Sequence, residues 1–408
     1  MAVFVTDGDQ RATLAVVRAL GRAGIPVTVG SSERNSLAGT SRYCSRKVPY
    51  PSPLEATESF RTSLRNEMMG YRYQVLLPMT DVTMLLVAQM RDALAPLVRL
   101  PIPSEEQVKL AQDKRHMLLL AQQLGIAFPK TYMVHEDERL EDIARRVRYP
   151  VVIKPRFSWF LRKGSWVSGS VHYGHDPDDL TAKYQEAHSQ IPHPLIQEKI
   201  EGEGRGVFLL LWDGQLRAAF CHRRLREKPP WGGVSVYRES LPLDEELVHK
   251  SLALLRAVGW QGVAMVEFKV DRQDGRAKLM EVNGRFWGSL QLAIDAGMNF
   301  PLLLYRLANE EDVPAQFNYK VGVKSRWLLG DLDHLLIRLT RSRGLDGFSD
   351  NQVSRVRAFV DFWKMYQRGL RYEILRFEDP GPGWYECKSY IREMLQRFSD
   401  RGEGIRAH

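Results

Sequence analysis

Two short β-branched runs near the N-terminus, AVFVT (2–6) and PVTVG (26–30), flank a stretch from about residue 10 to 23 whose apolar positions recur at helical spacing. The pattern predicts a βαβ unit, and with it a parallel sheet and a right-handed crossover. A third strand, YQVLLPM (73–79), and a helix, DVTMLLVAQMRDAL (81–94), continue the theme as far as LPIPS (100–104), where the prolines mark a boundary. The turn after the first strand reads TDGDQRA and not GxGxxG, so no dinucleotide fingerprint is present. Asp7 and Gly8, at the carboxyl end of that strand, are candidate substrate contacts.

Beyond the boundary a helix opens on a Ser104-x-x-Gln107 capping box, and a second helix carries Lys114 and stops near Gly125. YPVVIKPRF reads as a strand closed by Lys154, followed by the Gly/Ser segment RKGSWVSGS with Lys163, Gly164, Ser165, Gly169 and Ser170. PLIQEKIEGEGRGVFLLL reads as two strands around a polar break. The segment from Val263 to Arg285 forms a hairpin through RQDGR, and residues 290–308 form the next helix.

The second strand of that hairpin, in KLMEVNGRFWGS, is apolar on one face and carries Glu281, Asn283 and Arg285 on the other, because strand side chains alternate. Residue 274 is the midpoint between Glu267 and Glu281, so a turn centred there makes the two glutamates cross-strand neighbours, roughly 5 Å apart at Cβ. Two like charges so placed need positive charge between them. Two Glu and an Asn suit Mg²⁺, which takes few protein ligands and completes its octahedron with water and phosphate oxygens. Arg285 is suited to a phosphoryl group or carboxylate. A lysine closing a VVIK strand is costly to bury without an anion, so Lys154, with Lys114, supplies complementary charge. The Gly/Ser loop, through Gly164 and Ser165, is a candidate phosphate cradle.

Composition narrows the classes without choosing a function. The chain has 408 residues, 44% hydrophobic and 26% charged, enough for two or three domains with proper cores. Its three cysteines show neither CxxC spacing nor a nearby His pair, which points to a reducing, cytoplasmic setting and against a zinc site or disulfide framework. There is no basic leader and no apolar run of 18 residues. The formal charge of +9 suits nucleotide phosphates, an anionic membrane or nucleic acid, but no nucleic-acid-binding motif accompanies it, so nucleic acid is not expected as the partner.

Taken together, QDKRHMLLLAQQLGIAFPKT, VVIKP with the Gly/Ser loop, LIQEKIEGEG and VEFKVD…LMEVNGRFWGS resemble the ATP-grasp superfamily, and within it the carbamoyl-phosphate-synthetase-like, carboxylate–amine ligase branch. The resemblance spans about residues 104–308, and the first hundred residues look like the domain that precedes it in such proteins. With the segment beyond it, an α/β and α+β chain in three parts is expected. These are a Rossmann-like domain at 1–103, a two-lobed ATP-grasp domain at 104–317 with its lid lobe at about 130–204, and a mainly helical, basic appendage at 318–408. The resemblance also implies an ADP-forming ligase that uses ATP and Mg²⁺ (or Mn²⁺) to join small-molecule carboxylate and amine substrates through an acylphosphate. Lys114 and Lys154 would bind the phosphates, Glu198 and Ile200 the adenine through their backbones, and Glu203 the ribose. Glu267, Glu281 and Asn283 would hold the metal, and Arg285 would stabilise the transferred phosphoryl group.

In CHRRLREKPPWGG (221–233), Arg223, Arg224 and Arg226 are candidates for the substrate carboxylate or acylphosphate, with Arg224 first. Trp159, Phe160 and Trp166 interrupt the Gly/Ser loop and are expected to pack the lid. The last part of the chain, outside the resemblance, carries 17 Lys/Arg against 12 Asp/Glu and an amphipathic run, WLLGDLDHLLIRLTRSR. This pattern is expected on an exposed face of a packed appendage; peripheral membrane contact stays open, as does a homo-oligomer. Two other readings remain beside the ligase: a nucleotide-binding regulator or scaffold without turnover, and a membrane or polyanion binder acting through this basic segment.

Overall fold

A computed structural model describes residues 2–134, 139–162, 164–340 and 354–406; of 397–406 only the helical backbone is described. The N-terminal βαβ pattern becomes a four-stranded parallel sheet in the order Cys44–Pro49, Val27–Ser31, Ala2–Val5, Tyr73–Leu77. The helix Arg11–Arg22 crosses between its first two strands in sequence. Since the chain leaves the Ala2–Val5 strand toward one neighbour and returns on its other side, a crevice opens at the carboxyl ends of Ala2–Val5 and Tyr73–Leu77. Asp7 lies there in a left-handed conformation, φ 57°, with its N–H donating to Tyr50 Oη at 2.7 Å.

Ser104 and Gln107 form the predicted capping box: Ser104 Oγ accepts from Gln107 N at 3.2 Å, and Gln107 Oε1 accepts from Ser104 N at 2.8 Å. Ser104→Ala is expected to lower stability by about 1 kcal/mol in urea unfolding, without altering the slope of the transition. Two sheets follow, antiparallel except for the last strand pair of the larger one. The smaller runs Thr131–Tyr132, Leu195–Glu198, Val151–Lys154, His172–Gly174. The larger has seven strands in the order Ala277–Asn283, Gly262–Asp271, Gly202–Trp212, Gln215–Lys228, Val234–Leu241, Lys324–Arg326, Leu370–Tyr372.

Alternation along the large sheet divides its residues between two cores. Phe208, Phe220 and Met265 face the helix Arg11–Arg22 and the helices after the hairpin, whereas Val207, Leu209, Val266 and Phe268 face the helices Lys114–Gln123 and Glu245–Ala257. The stretch 290–308, expected as one helix, is two: Leu290–Ala296 and Phe300–Ala308. Gly297 ends the first with φ 104°, and Asn299 caps the second, with Pro301 in its first turn.

The final part of the chain is more than a helical appendage. Besides the helices Leu328–Thr340, Arg355–Phe362 and Gly381–Arg406, it supplies the last two strands of the large sheet. It also ties the first domain down. Asp379, fully buried, accepts from Arg18 Nε, Ser41 Oγ and Arg42 N, each at 2.8 Å. Glu373 takes Arg11 at 2.8 Å and also pairs with Arg238 of the large sheet.

Candidate active site

The Gly262–Asp271 and Ala277–Asn283 strands turn through residues 272–276, and Glu267 stands directly opposite Glu281, as the midpoint predicts. A bulge between Glu267 and Phe268 shifts the register nearer the turn. The residue after this strand must be small: a Cβ on Gly284 would lie 2.2 Å from the ring of Trp260. Arg224 forms an ion pair with Glu267 and another with Glu227 at 3.0 Å. Lys114 Nζ lies 4.0 Å from Glu281, and Lys154 Nζ donates to Met280 O at 3.3 Å. Asn283 Nδ2 donates to Glu281 Oε1 at 3.2 Å.

These charges set the ionisation of the pair. Burial opposes the charge on Glu281, but Lys154, then Lys114 and the Asn283 amide, hold its carboxyl down to about 2. On Glu267 burial prevails and the carboxyl is raised, with Arg224 working against the shift and Glu281 reinforcing it. Burial also lowers Lys114, partly offset by Glu281. The site thus sets a firmly ionised Glu281 opposite a Glu267 whose charge burial opposes, with Arg224, Lys114 and Lys154 beside them.

Lys114 owes its position to local structure. It begins the helix Lys114–Gln123, whose cap Asp113 accepts from Arg115 N at 3.0 Å and takes Arg156 Nε at 2.8 Å, while Lys114 N donates to Arg156 O at 3.1 Å. Asp113 was not a sequence candidate, although an Asp immediately before a helix is a cap signal. Asp81 was missed as well. It caps no metal site but binds Arg285 at 3.0 and 3.2 Å, which brings the crevice of the first domain against the hairpin. The Ala277–Asn283 strand ends before Arg285, yet its guanidinium still reaches that row, with Nη2 donating to Asn283 Oδ1 at 3.5 Å. Burial works against the Arg285 charge, and Asp81 and Glu281 more than offset it.

Other candidates fall into two groups. Ile200, buried beyond the Leu195–Glu198 strand, makes no backbone hydrogen bond through its N–H among the described residues, which leaves a donor at the expected adenine edge. Glu198 N donates to Lys130 O at 2.9 Å, and its carboxylate takes Lys278 at 3.0 Å, so of its backbone only the carbonyl is available there. Glu203 stays beside the adenine segment around Ile200. It pairs with Val270, on the face away from Gly206 and Glu267, and its carboxylate is held by Arg205 at 3.1 Å and Arg223 at 3.4 Å. Strand alternation therefore removes it from the metal face.

The arginines of 221–233 lie on the 14-residue strand Gln215–Lys228 and not on a loop. Arg223 turns to Glu239 at 2.7 Å and Arg226 to Asp331 at 2.6 Å, which leaves Arg224 alone of the three at the glutamates. Gly164 and Ser165 lie at the turn of a hairpin, Trp159–Arg162 with Ser165–Ser168; Lys163 lies outside the described residues. This hairpin docks on the first domain: Trp159 and Trp166 pack against its core, and Trp166 Nε1 donates to Thr57 Oγ1 at 3.2 Å. Phe160 stacks near Phe157, with ring centroids 5.8 Å apart.

Residues 190–329, which include the glutamate hairpin, match a family model described as ATP-grasp in the biosynthetic pathway with Ter operon. The fold agrees over most of the chain: superposition on the L-amino acid ligase from Bacillus licheniformis covers 76% of this chain and 74% of that one, with a TM-score of 0.59 and 19% identity. The chain has the ATP-grasp fold. The biotin carboxylase domain of the Hydrogenobacter thermophilus 2-oxoglutarate carboxylase, solved with MgADP, shares the fold at TM-score 0.62 and 13% identity, covering 79% of this chain and 73% of that one. In sequence, this ATP-grasp chain is 24% identical over 206 residues to the carbamoyl phosphate synthase large chain of Xylella fastidiosa. That match takes in 48% of the chain and 18% of the synthase. Among the described residues no helix is long and apolar enough to cross a membrane.

Proposed function

We propose that this ATP-grasp protein is an ADP-forming carboxylate–amine ligase acting on small molecules. The observation that carries the reading is the Glu267–Glu281 cross-strand pair with Arg224, Lys114 and Lys154 converging on it. The donor set fits Mg²⁺ (or Mn²⁺): two carboxylates and an amide oxygen on one short hairpin, with cations balancing their charge in this structure. Glu267, Glu281 and Asn283 would hold that ion. When bound it would neutralise phosphate charge.

In the proposed reaction a substrate carboxylate oxygen attacks the γ-phosphorus of ATP, the bond to the bridging oxygen breaks and ADP leaves. An amine nitrogen then attacks the acyl carbon, the carbon–oxygen bond to phosphate breaks, and the amide forms with loss of a proton to solvent. Lys114 and Lys154 offset phosphate charge, and Arg285 and Arg224 meet the transferred phosphoryl group and the acylphosphate. Ile200 N–H and the Glu198 carbonyl hold adenine. The small sheet and the docked aromatic hairpin exclude water that would hydrolyse the acylphosphate. A reducing, cytoplasmic setting belongs to the same reading and agrees with three free cysteines.

ADP release over a panel of carboxylates, with hydroxylamine present, tests this directly. A hydroxamate that forms only with ATP, Mg²⁺ and one class of carboxylate is the expected result. Nucleotide binding without ADP or hydroxamate from any panel member would favour a regulatory protein without turnover.

A further inference from the structure

A cleft of about 960 Å³ opens where the nucleotide edge of the large sheet meets the helices Leu328–Thr340 and Arg355–Phe362. Its inner wall is the hinge segment from Lys199 to Gly204 and the strand end from Lys269 to Arg272; its outer wall belongs to the C-terminal part of the chain. Nine Lys and Arg side chains line it, of which Arg224, Arg226 and Lys324 meet Glu267, Asp331 and Glu239 outside the lining. ATP does not account for the cations left unmatched. In the reading above the triphosphate end is assigned to Lys114, Lys154, Glu267 and Glu281, none of which lines the cleft, and the hinge segment to adenine and ribose, which carry no charge.

Two of the cations have no partner among the described residues. Lys269 follows Glu267 on the same strand face beside Gly204, and neither it nor Arg272 makes a side-chain hydrogen bond or ion pair. An ammonium kept half-buried without an anion is costly, and a ligand anion would remove the cost. Across the cleft, Arg357 and Lys364 share a single carboxylate, Asp361, at 3.8 and 2.6 Å.

We propose that this cleft binds the second substrate of the ligase and that this substrate is polyanionic, bearing a phosphate or clustered carboxylates, with Lys269 and Arg272 facing it from the sheet, Arg357 from the helix Arg355–Phe362 and Lys364 from the residues just after it. The proposal rests on the nucleotide reading above only for the direction in which ATP lies. It gives the basic C-terminal segment a role in substrate selection.

The test is calorimetric titration of the full-length protein, with and without saturating Mg-ADP, using O-phosphoserine, the dipeptide Glu-Glu and, as an uncharged-acid control, glycinamide. At least one anionic probe should bind in the presence of Mg-ADP while glycinamide does not, and its affinity should fall as salt rises. Phosphoserine and Glu-Glu distinguish the two sources of anionic charge. The exposed pair Arg272→Gln with Arg357→Gln should weaken the bound probe about tenfold or more. Anionic probes that bind no better than glycinamide would overturn the proposal, as would a variant that loses ADP and probe affinity in equal measure. Failure of Mg-ADP to bind wild-type protein would instead strike the nucleotide reading, and the titrations without ADP would still judge the cleft.

Discussion

Glu281→Gln is expected to lower Mg²⁺-dependent ADP release by at least about 100-fold, the scale seen when one preorganised electrostatic partner of a reacting group is removed. Glu281 is the carboxylate that Lys154 and Lys114 keep ionised, and Glu267 opposite it is raised by burial. Removing the Glu281 charge therefore takes away the stronger of the two proposed metal ligands. The effect on folding should be small because two changes oppose each other. Glu267 loses a like charge across the strand, while Lys114 loses its partner at 4.0 Å. Thermal unfolding should stay within a few degrees of wild type, roughly what a change of under 1 kcal/mol produces. Weakened Mn²⁺ binding measured on the same variant would place the loss at the metal. Wild-type turnover would sink the assignment of Glu281.

The largest effect on stability is expected far from that site, at Asp379→Ala. Asp379 and its partner Arg18 expose 0% and 1% of their side chains, so the variant leaves a buried guanidinium uncompensated and orphans Ser41 Oγ and Arg42 N. Breaking a buried pair from one side costs about 3–5 kcal/mol. Urea unfolding measures it, and a double-mutant cycle with Arg18→Met separates the pair from its surroundings: the double variant should lose clearly less than the sum of the singles. An Asp379→Ala protein as stable as wild type would mean that the C-terminal segment does not anchor the first domain. The partners are 361 residues apart in sequence, so this contact closes the chain on itself.

The hairpin was the most legible element. Its period of two, its Asp-Gly turn and the equal spacing of Glu267 and Glu281 about residue 274 all depend on neighbouring residues, and local sequence is where such information resides. Arg224 was legible as a candidate, yet its separation from Arg223 and Arg226 was not, because the strand continues through residues that read as a loop. The face that Glu203 presents was hidden for a related reason. One residue of register decides which face of a strand a side chain occupies, and the Gly-rich break before Gly202 conceals that register. Asp81 carried no signal beyond a helix N-terminus, since its partner Arg285 lies 204 residues away.

By itself the sequence determined the βαβ start, the capped helices, the glutamate hairpin and the chemical types gathered near it, because periodicity, capping and turn preferences act over a few residues. Only the tertiary structure decided which charges meet. It set Arg224 on Glu267, Asp81 on Arg285 and Asp379 on Arg18, and it made the helices Leu328–Thr340 and Arg355–Phe362 a wall of the cleft beside the segment from Lys199 to Gly204. Those encounters join residues far apart in the chain. They follow from how the sheets pack and which face each strand presents, and short stretches of sequence do not contain that information.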